Sequence, residues 1–596
     1  MTAWNRICRD ARRYALAVLV LAATGCSPGC GTRPTPQQGG KDTPLASQEP
    51  GEPGSAGRRT IDIFAFGRVL GAISPCGCTS DPLGGLAFMR GMLSARSLPS
   101  SRLVLEPGSF LFPDPDGPET VRGTAAWAQA LKKATVLHGS FASLAPNLVA
   151  GLGPTDLSSP GGASAVSQWP LPRVLGNLDP GAAGQWPGLQ PSRTVNIEGY
   201  AVAVTSIVDP AAVPPGAGFP ALRDPLSAAR DVARSFEQSA ADLRVILVHG
   251  PRALAERIAR QVTNIDLIIV GGVLREAERG RTGGSPARIG GAWLVEPGDR
   301  MQTVSHIKLS ISRAQPRPLT ATADWVVVPS PAALRAQVER VTEQLTKFRS
   351  AADADPTFLA RLERELEHLN LQIAGGRVPD SPVRVTFEQV KIRCTFTADP
   401  EAETALSDYD AWVATENEAK FSGVQAPDPA PGQPSYAGTE ACSNCHDEAE
   451  TFWADTRHAS AYATLVKANK QYDLSCVGCH VTGFREPGGA EVVENEGLRD
   501  VQCEQCHGPG SLHADDPVDS KDRAWKINLH APAELCLSCH TPEHSDTFDY
   551  AAYLRDVLGP GHGARARQAL GAGATGRELR AAAVQKAGGG CSNAPH

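Results

Sequence analysis

A chain of 596 residues is too long for one ordinary hydrophobic core, so its length predicts two or three domains. The composition, 41% hydrophobic and 20% charged, is typical of a globular protein. The formal net charge of −7, with no run of basic residues, argues against nucleic-acid binding.

The first 25 residues have the pattern of an export signal. A basic start precedes an apolar run from Tyr14 to Ala23, which is too short to span a bilayer. The run ends in ATGC, which resembles a bacterial lipobox, so we expect residues 1–25 to be a lipoprotein signal peptide and Cys26 to carry the lipid. An ordinary cleaved signal and an uncleaved anchor are the alternatives. A lipidated chain would lie on the periplasmic side of an inner or outer bacterial membrane, and the Pro-, Gly- and Ser-rich residues 26–59 are expected to be a flexible tether.

Residues 60–312 predict an α/β domain, because short β-branched runs alternate with helical stretches. These runs are IDIFAF, RLVLE, ATVLH, YAVAVTSIV, LRVILVH, IDLIIV and TVSHIKLSI. Residues 313–422 are expected to be a connector. It begins with a helical hairpin, which we interpret as a spacer, and ends with a strand over residues 385–398 and a helix that extends to Phe421.

The segment 436–565 repeats the unit Cys-x-x-Cys-His four times. The cysteines are Cys442 and Cys445, Cys476 and Cys479, Cys503 and Cys506, and Cys536 and Cys539, followed by His446, His480, His507 and His540. Two thiols three residues apart can bond both vinyl groups of a haem, and the next histidine can bind its iron, so the units predict four covalently attached c-type haems. Zinc would leave the four histidines unexplained, and disulfides within such units are usually catalytic rather than structural. Residues 566–596 are expected to be a flexible tail.

Each haem iron has a second axial position, and five further histidines are candidates for it: His458, His513, His562, His530 and His544. The segment also has few large aliphatic residues, so we expect the polypeptide to fold around its haems.

The segments CSNCH, FWADTRHASAY, SCVGCHVTGF, VQCEQCHGPGSLH and ELCLSCHTPEHS resemble tetrahaem electron carriers of the cytochrome c-554 type. The resemblance implies stacked pairs of haems with mostly bis-histidine ligation, and in some members one five-coordinate iron. It places His458 and His513 at distal positions, with His562 as a third candidate, whereas His530 and His544 match no assignable position.

Residues 61–93 resemble the opening of calcineurin-like metallophosphoesterases of the five-prime-nucleotidase branch, and VLGNLD, VILVHG and IDLIIVGG extend the resemblance. The metal ligands of that family are replaced here, first by Phe66-Gly67-Arg68 and later by Gly108-Ser109 and Gly271-Gly272. Asn177 and His249 are candidate survivors of the pattern, but two residues cannot hold two metal ions. The resemblance therefore implies an α/β sandwich that has lost its phosphoesterase activity.

The thiols of Cys76 and Cys78 are a further candidate site, for a soft metal or for redox chemistry. The alternative is a structural role, for instance a disulfide to Cys394.

These patterns predict an exported, lipid-anchored tetrahaem cytochrome that carries electrons between redox protein partners. One alternative is an oxidoreductase that acts on a small nitrogen or sulfur compound, at an open haem or at the Cys76–Cys78 site. The other alternative is a metallophosphatase with an appended cytochrome.

Overall fold

The computed structural model describes residues 57–588 except 76–78, 114–122, 158–162, 215–217, 273–282, 314–317, 320–321, 350–354, 375–380, 518, 522–526 and 542–543. The predicted lipidation site Cys26 and the predicted thiol site Cys76–Cys78 lie outside the described residues. All described residues belong to one compact unit.

Fourteen strands are described. They are β1 (Arg58–Ala65), β2 (Arg102–Glu106), β3 (Leu148–Ala150), β4 (Arg173–Val174), β5 (Leu189–Gln190), β6 (Arg193–Ile197), β7 (Tyr200–Val208), β8 (Leu243–His249), β9 (Leu267–Val270), β10 (Ala287–Ile289), β11 (Ala292–Val295), β12 (Thr303–Ser312), β13 (Val326–Val327) and β14 (Val383–Lys391).

The strands form two sheets whose inner faces pack together. The first sheet has the order β13-β14-β12-β1-β2-β3-β4-β5 and the second has the order β10-β11-β9-β8-β7-β6. Strands β1 to β5 run parallel to one another, as do β7, β8, β9 and β11. Alternate residues such as Ile63, Leu105 and Val245 are fully buried between the sheets. This architecture confirms the predicted α/β sandwich.

Eight α-helices are described before residue 436, and most of them cover the outer faces of the two sheets. They are α1 (Leu86–Arg96), α2 (Ala125–Ala142), α3 (Ala163–Gln168), α4 (Pro225–Gln238), α5 (Arg252–Gln261), α6 (Pro331–Arg349), α7 (Pro356–Ile373) and α8 (Pro400–Phe421). Of these, α1, α2 and α8 pack on the first sheet and α4 and α5 on the second, whereas α6 and α7 pack on each other as a hairpin with its own apolar contacts.

The strand expected at ATVLH is wrong, because this segment lies within α2. Ala130, Ala134, Leu137 and Phe141 are buried and recur every three or four residues, so the helical period of the apolar residues outweighs the local β-branched pair.

Strand β14 lies within the first sheet, antiparallel to β12, with Ile307 opposite Phe387. The following helix, α8, packs on α1 and α2. The last part of the predicted connector therefore completes the sandwich, while the hairpin α6–α7 forms a separate cluster.

The segment after residue 436 consists of short helices and loops. The helices are α9 (Thr439–Ser443), α10 (Asp447–Ala454), α11 (Ala461–Lys467), α12 (Cys503–His507), α13 (Ser511–Ala514), α14 (Ala533–Leu537), α15 (Tyr550–Val557), α16 (Ala564–Ala569) and α17 (Gly576–Lys586). In the described part of this segment the fully buried apolar side chains are few: Tyr462, Leu465, Val477, Val481, Ala490, Val492 and Ala552.

Candidate functional site

Each Cys-x-x-Cys-His unit forms one helical turn. The first unit begins in the last two residues of α9, and the fourth begins in the last two residues of α14. The third unit is α12, and the second contains a 3₁₀ turn at Val477–Cys479. The His446 amide donates to the Cys442 carbonyl at 3.0 Å, and the His540 amide donates to the Cys536 carbonyl at 2.8 Å. Such a turn brings the two sulfur atoms and the imidazole of a unit to one side of the backbone, which is the arrangement that covalent haem attachment requires.

None of the eight cysteines of the units forms a disulfide, and all except the exposed Cys445 are partly buried. The thiols of Cys442 and Cys503 interact, and this interaction lowers the pKa of Cys503 to about 7. The thiols of Cys479 and Cys539 interact in the same way, which lowers the pKa of Cys539 to about 6. The first unit therefore lies against the third, and the second unit lies against the fourth.

Two pairs of imidazoles face each other across a gap. The ring centroids of His446 and His513 are 6.3 Å apart with planes 19° apart, and those of His458 and His540 are 6.2 Å apart with planes 47° apart. Two imidazoles that bind one metal ion from opposite sides have centroids about 6.2 Å apart, since each metal–nitrogen bond is about 2.0 Å and each ring nitrogen lies about 1.1 Å from its centroid. The centroid separation of each pair is the one expected for two imidazoles on a six-coordinate haem iron.

Three of the four histidines within the units are oriented by a hydrogen bond from Nδ1. His480 donates to the Ala461 carbonyl at 2.6 Å and His507 to the Asn528 carbonyl at 2.6 Å, and His540 Nδ1 lies 3.1 Å from Ser545 Oγ. A proton held on Nδ1 leaves the lone pair of Nε2 available for a metal. Main-chain carbonyls have no sequence signature, so these partners could not be predicted.

The other three candidate histidines differ in their surroundings. His562 is partly buried, and burial and then the charge of the nearby His507 lower its pKa. His544 is exposed. Burial lowers the pKa of His480 most, and the charge of His544 lowers it further, which indicates that the two imidazoles lie near each other. His530 is exposed. Among the described residues, no imidazole faces His480 or His507 at the spacing of the two pairs.

The scarcity of buried aliphatic side chains after residue 436 also fits haem binding. The main apolar cluster of this segment has only five fully buried members, of which Tyr462 is the largest. Porphyrin rings attached at the four units would supply the missing apolar surface.

In the described residues of the sandwich, no three His, Cys, Asp or Glu side chains are grouped as metal ligands would be. Arg68 forms a buried, two-point ion pair with Asp299, with Nε to Oδ1 at 3.0 Å and Nη2 to Oδ2 at 2.8 Å. A Cβ atom on Gly272 would lie 3.1 Å from the Arg68 guanidinium carbon, so Arg68 fills the space next to Gly272.

Asp156 and Asn177 hydrogen-bond to the main chain of the sandwich, whereas His249 has no hydrogen-bond partner. Asp156 accepts hydrogen bonds from the amides of Ser109, Phe110, Leu111 and Gly153, at 2.8–3.0 Å. The Asn177 side chain donates to the Val208 carbonyl through Nδ2 and accepts from the Val208 amide through Oδ1. His249 is fully buried with no hydrogen-bond partner, and burial lowers its pKa to about 4. Cys394 is disulfide-bonded.

Part of this chain matches a known protein family. Residues 441–508 match the family described as Cytochrome c554 and c-prime. The chain is also 40% identical over 134 residues to cytochrome c-554 of Nitrosomonas europaea, which covers 18% of this chain and 57% of that protein. The chain thus spans little more than half the length of this relative.

The similarity to solved structures is distant. The 5′-nucleotidase precursor from Thermus thermophilus is 13% identical with a TM-score of 0.36, covering 60% of this chain and 59% of that chain. A putative 5′-nucleotidase from Staphylococcus aureus is 13% identical with a TM-score of 0.38, covering 69% of this chain and 66% of that chain. The function proposed below does not depend on these likenesses. The cytochrome resemblance inferred from the repeated units is supported by the family match.

Proposed function

We propose that this chain is an exported tetrahaem c-type cytochrome that carries electrons between redox protein partners. The observation that carries the proposal is the combination of four Cys-x-x-Cys-His turns with two imidazole pairs at the spacing of a bis-histidine iron site. When bound, each haem would supply an iron that accepts and returns one electron.

The axial ligands follow from the two pairs. His446 and His513 would hold the first haem, and His540 and His458 would hold the fourth. His562 is the candidate partner of His507 at the third haem, because it is the nearby half-buried histidine. Contacts between the first and third units and between the second and fourth units favour two pairs of neighbouring haems, along which electrons could pass.

The haem content of the mature protein tests this proposal. Expression in a host that attaches haem should yield four haems per chain by the pyridine haemochrome assay. Replacing Cys503 and Cys506 together with alanine should leave three, with the other attachment sites intact. A colourless product from such a host, or zinc bound in place of haem, would refute the proposal.

A second candidate function is reduction or oxidation of a small nitrogen or sulfur compound at the second haem. The observation that favours it is that no described imidazole faces His480 at ligand spacing, and the nearby His544 is exposed. An open iron has a high-spin spectrum and binds carbon monoxide. If all four haems are low-spin and unreactive towards carbon monoxide, electron transfer alone is the function.

The export signal over residues 1–25 and the lipid on Cys26 belong to the same proposal. They would keep the haem module on the periplasmic side of a membrane, where haem attachment takes place. None of the described helices is both long enough and apolar enough to cross a bilayer. Labelling with a radioactive fatty acid, lost in Cys26→Ser, tests the anchor.

A further inference from the structure

A buried polar bridge joins the sandwich to the second Cys-x-x-Cys-His unit. Gln129 of α2 donates from Nε2 to Asp473 Oδ1 at 2.9 Å, and Asn417 of α8 donates to Gln129 Oε1 at 3.0 Å. Asn417 also donates to the Tyr472 carbonyl at 2.7 Å. The exposed fractions of Gln129, Asn417 and Asp473 are 2%, 3% and 5%, so these bonds are shielded from water.

Asp473 is also part of the turn that carries the second unit. Its carbonyl accepts from the amides of Cys476 and Val477, both at 2.9 Å, and its carboxylate accepts from the Ser475 amide at 2.9 Å. The same residue therefore receives a side-chain donor from the sandwich and fixes the start of the haem-attachment turn. A shift of Gln129 would be transmitted to Cys476 through one residue.

The charges around the bridge keep the carboxylate ionised. Lys470 forms an ion pair with Asp410 of α8 at 2.7 Å. Burial by itself would raise the pKa of Asp473, but Lys133, the hydrogen bonds from Ser475 and Gln129, and Lys470 outweigh burial and lower it. A negative charge is thus held within the low-dielectric interior, three residues before Cys476.

The sandwich contacts the fourth unit as well. The Ser80 amide donates to the Asp546 carboxylate at 2.9 Å, and the preceding residue, Ser545, is the partner of His540. Because the second and fourth units lie against each other, both contacts hold the same half of the haem module.

We propose that the sandwich positions the second haem and lowers its reduction potential through the bridge Asn417–Gln129–Asp473. Asp473 is the positioning residue, and its ionised carboxylate stabilises the more positive, oxidised iron relative to the reduced one. This inference rests on the proposed haem attachment. It assigns the sandwich a role that needs no catalytic site of its own.

The test compares Asp473→Asn with Asp408→Asn in the full mature chain. Asp408 is exposed on α8, and both variants change the net charge equally. With four haems per chain verified, potentiometric titration of Asp473→Asn should move one midpoint potential to a more positive value. A change on the order of tenfold in the equilibrium constant corresponds to about 59 mV for one electron. In a Cys476→Ala/Cys479→Ala background, Asp473→Asn should leave the three remaining potentials unchanged.

A second variant covers the case in which Asp473→Asn does not fold. Gln129→Met retains the length of the side chain and removes its hydrogen bonds, so the amides of Cys476 and Val477 should exchange hydrogen for deuterium faster than in the native protein. Gln238→Met, at the exposed end of α4, should not change their exchange. The inference is overturned if Asp473→Asn and Asp408→Asn shift the potentials alike, or if Gln129→Met leaves the exchange unaltered. Absence of haem from the native chain would instead overturn the proposed function.

Discussion

Removal of His458 should change the spin state of the fourth haem rather than the first. His458 follows the first unit in the sequence, but its ring faces His540 of the fourth unit at 6.2 Å. Alanine is too short to reach a metal across that gap, so His458→Ala should leave one iron of four without a sixth ligand. About a quarter of the low-spin haem absorption should then be replaced by a high-spin signal.

Optical and electron paramagnetic resonance spectra of the oxidised protein measure this fraction. His530→Ala is the matched control, because His530 is an exposed histidine of the same segment. In a Cys536→Ala/Cys539→Ala background, which lacks the fourth haem, His458→Ala should have no spectral effect. A full high-spin change in that background would mean that His458 binds another iron, and the assignment would be wrong.

Three further predictions concern the sandwich. Arg68→Met or Asp299→Asn alone should lower the free energy of unfolding by about 3–5 kcal/mol in urea titrations, because each removes one side of a buried ion pair, and the double variant should recover most of the loss. Neither the native chain nor these variants should hydrolyse a phosphoester with added divalent metal. Burial lowers the pKa of His249 from its ordinary value of 6.5 to about 4 in the folded protein, so the unfolded chain takes up the proton first and stability falls as the pH drops from 6.5 to 4. Relative to His249→Gln, the native chain should lose about 3 kcal/mol over that range, and parallel stability curves for the two proteins would contradict this.

Local sequence pattern was sufficient to predict most elements of the sandwich. RLVLE forms strand β2 and LRVILVH forms β8, since short runs rich in β-branched residues between polar turns usually form strands. The place of β14 beside β12 could not be predicted, since strand order depends on pairing between distant segments rather than on the strand itself. ATVLH was misassigned because five residues are too few to separate a helical period from a strand.

The candidate haem site also has one part that local sequence predicts and one part that it does not. Spacing alone predicts the attachment cysteines and the histidines next to them, because the geometry of haem attachment is contained in five consecutive residues, and these assignments stay predictions. The crossed arrangement, with His513 opposite His446 and His458 opposite His540, could not be predicted. It depends on how short helices without a large aliphatic core pack together, and no local pattern encodes that packing.

The sandwich and the haem module are best understood together. In the sandwich, the Arg68 guanidinium is paired with Asp299, and the carboxylate oxygens of Asp156 already accept hydrogen bonds from four main-chain amides. These charges are balanced within the protein, so a divalent cation would have to displace existing partners to bind. The outer helices α2 and α8, in contrast, carry Gln129 and Asn417 to the second haem unit. The proposed haem module has little apolar core of its own, so these contacts support the proposal that the sandwich positions the second haem.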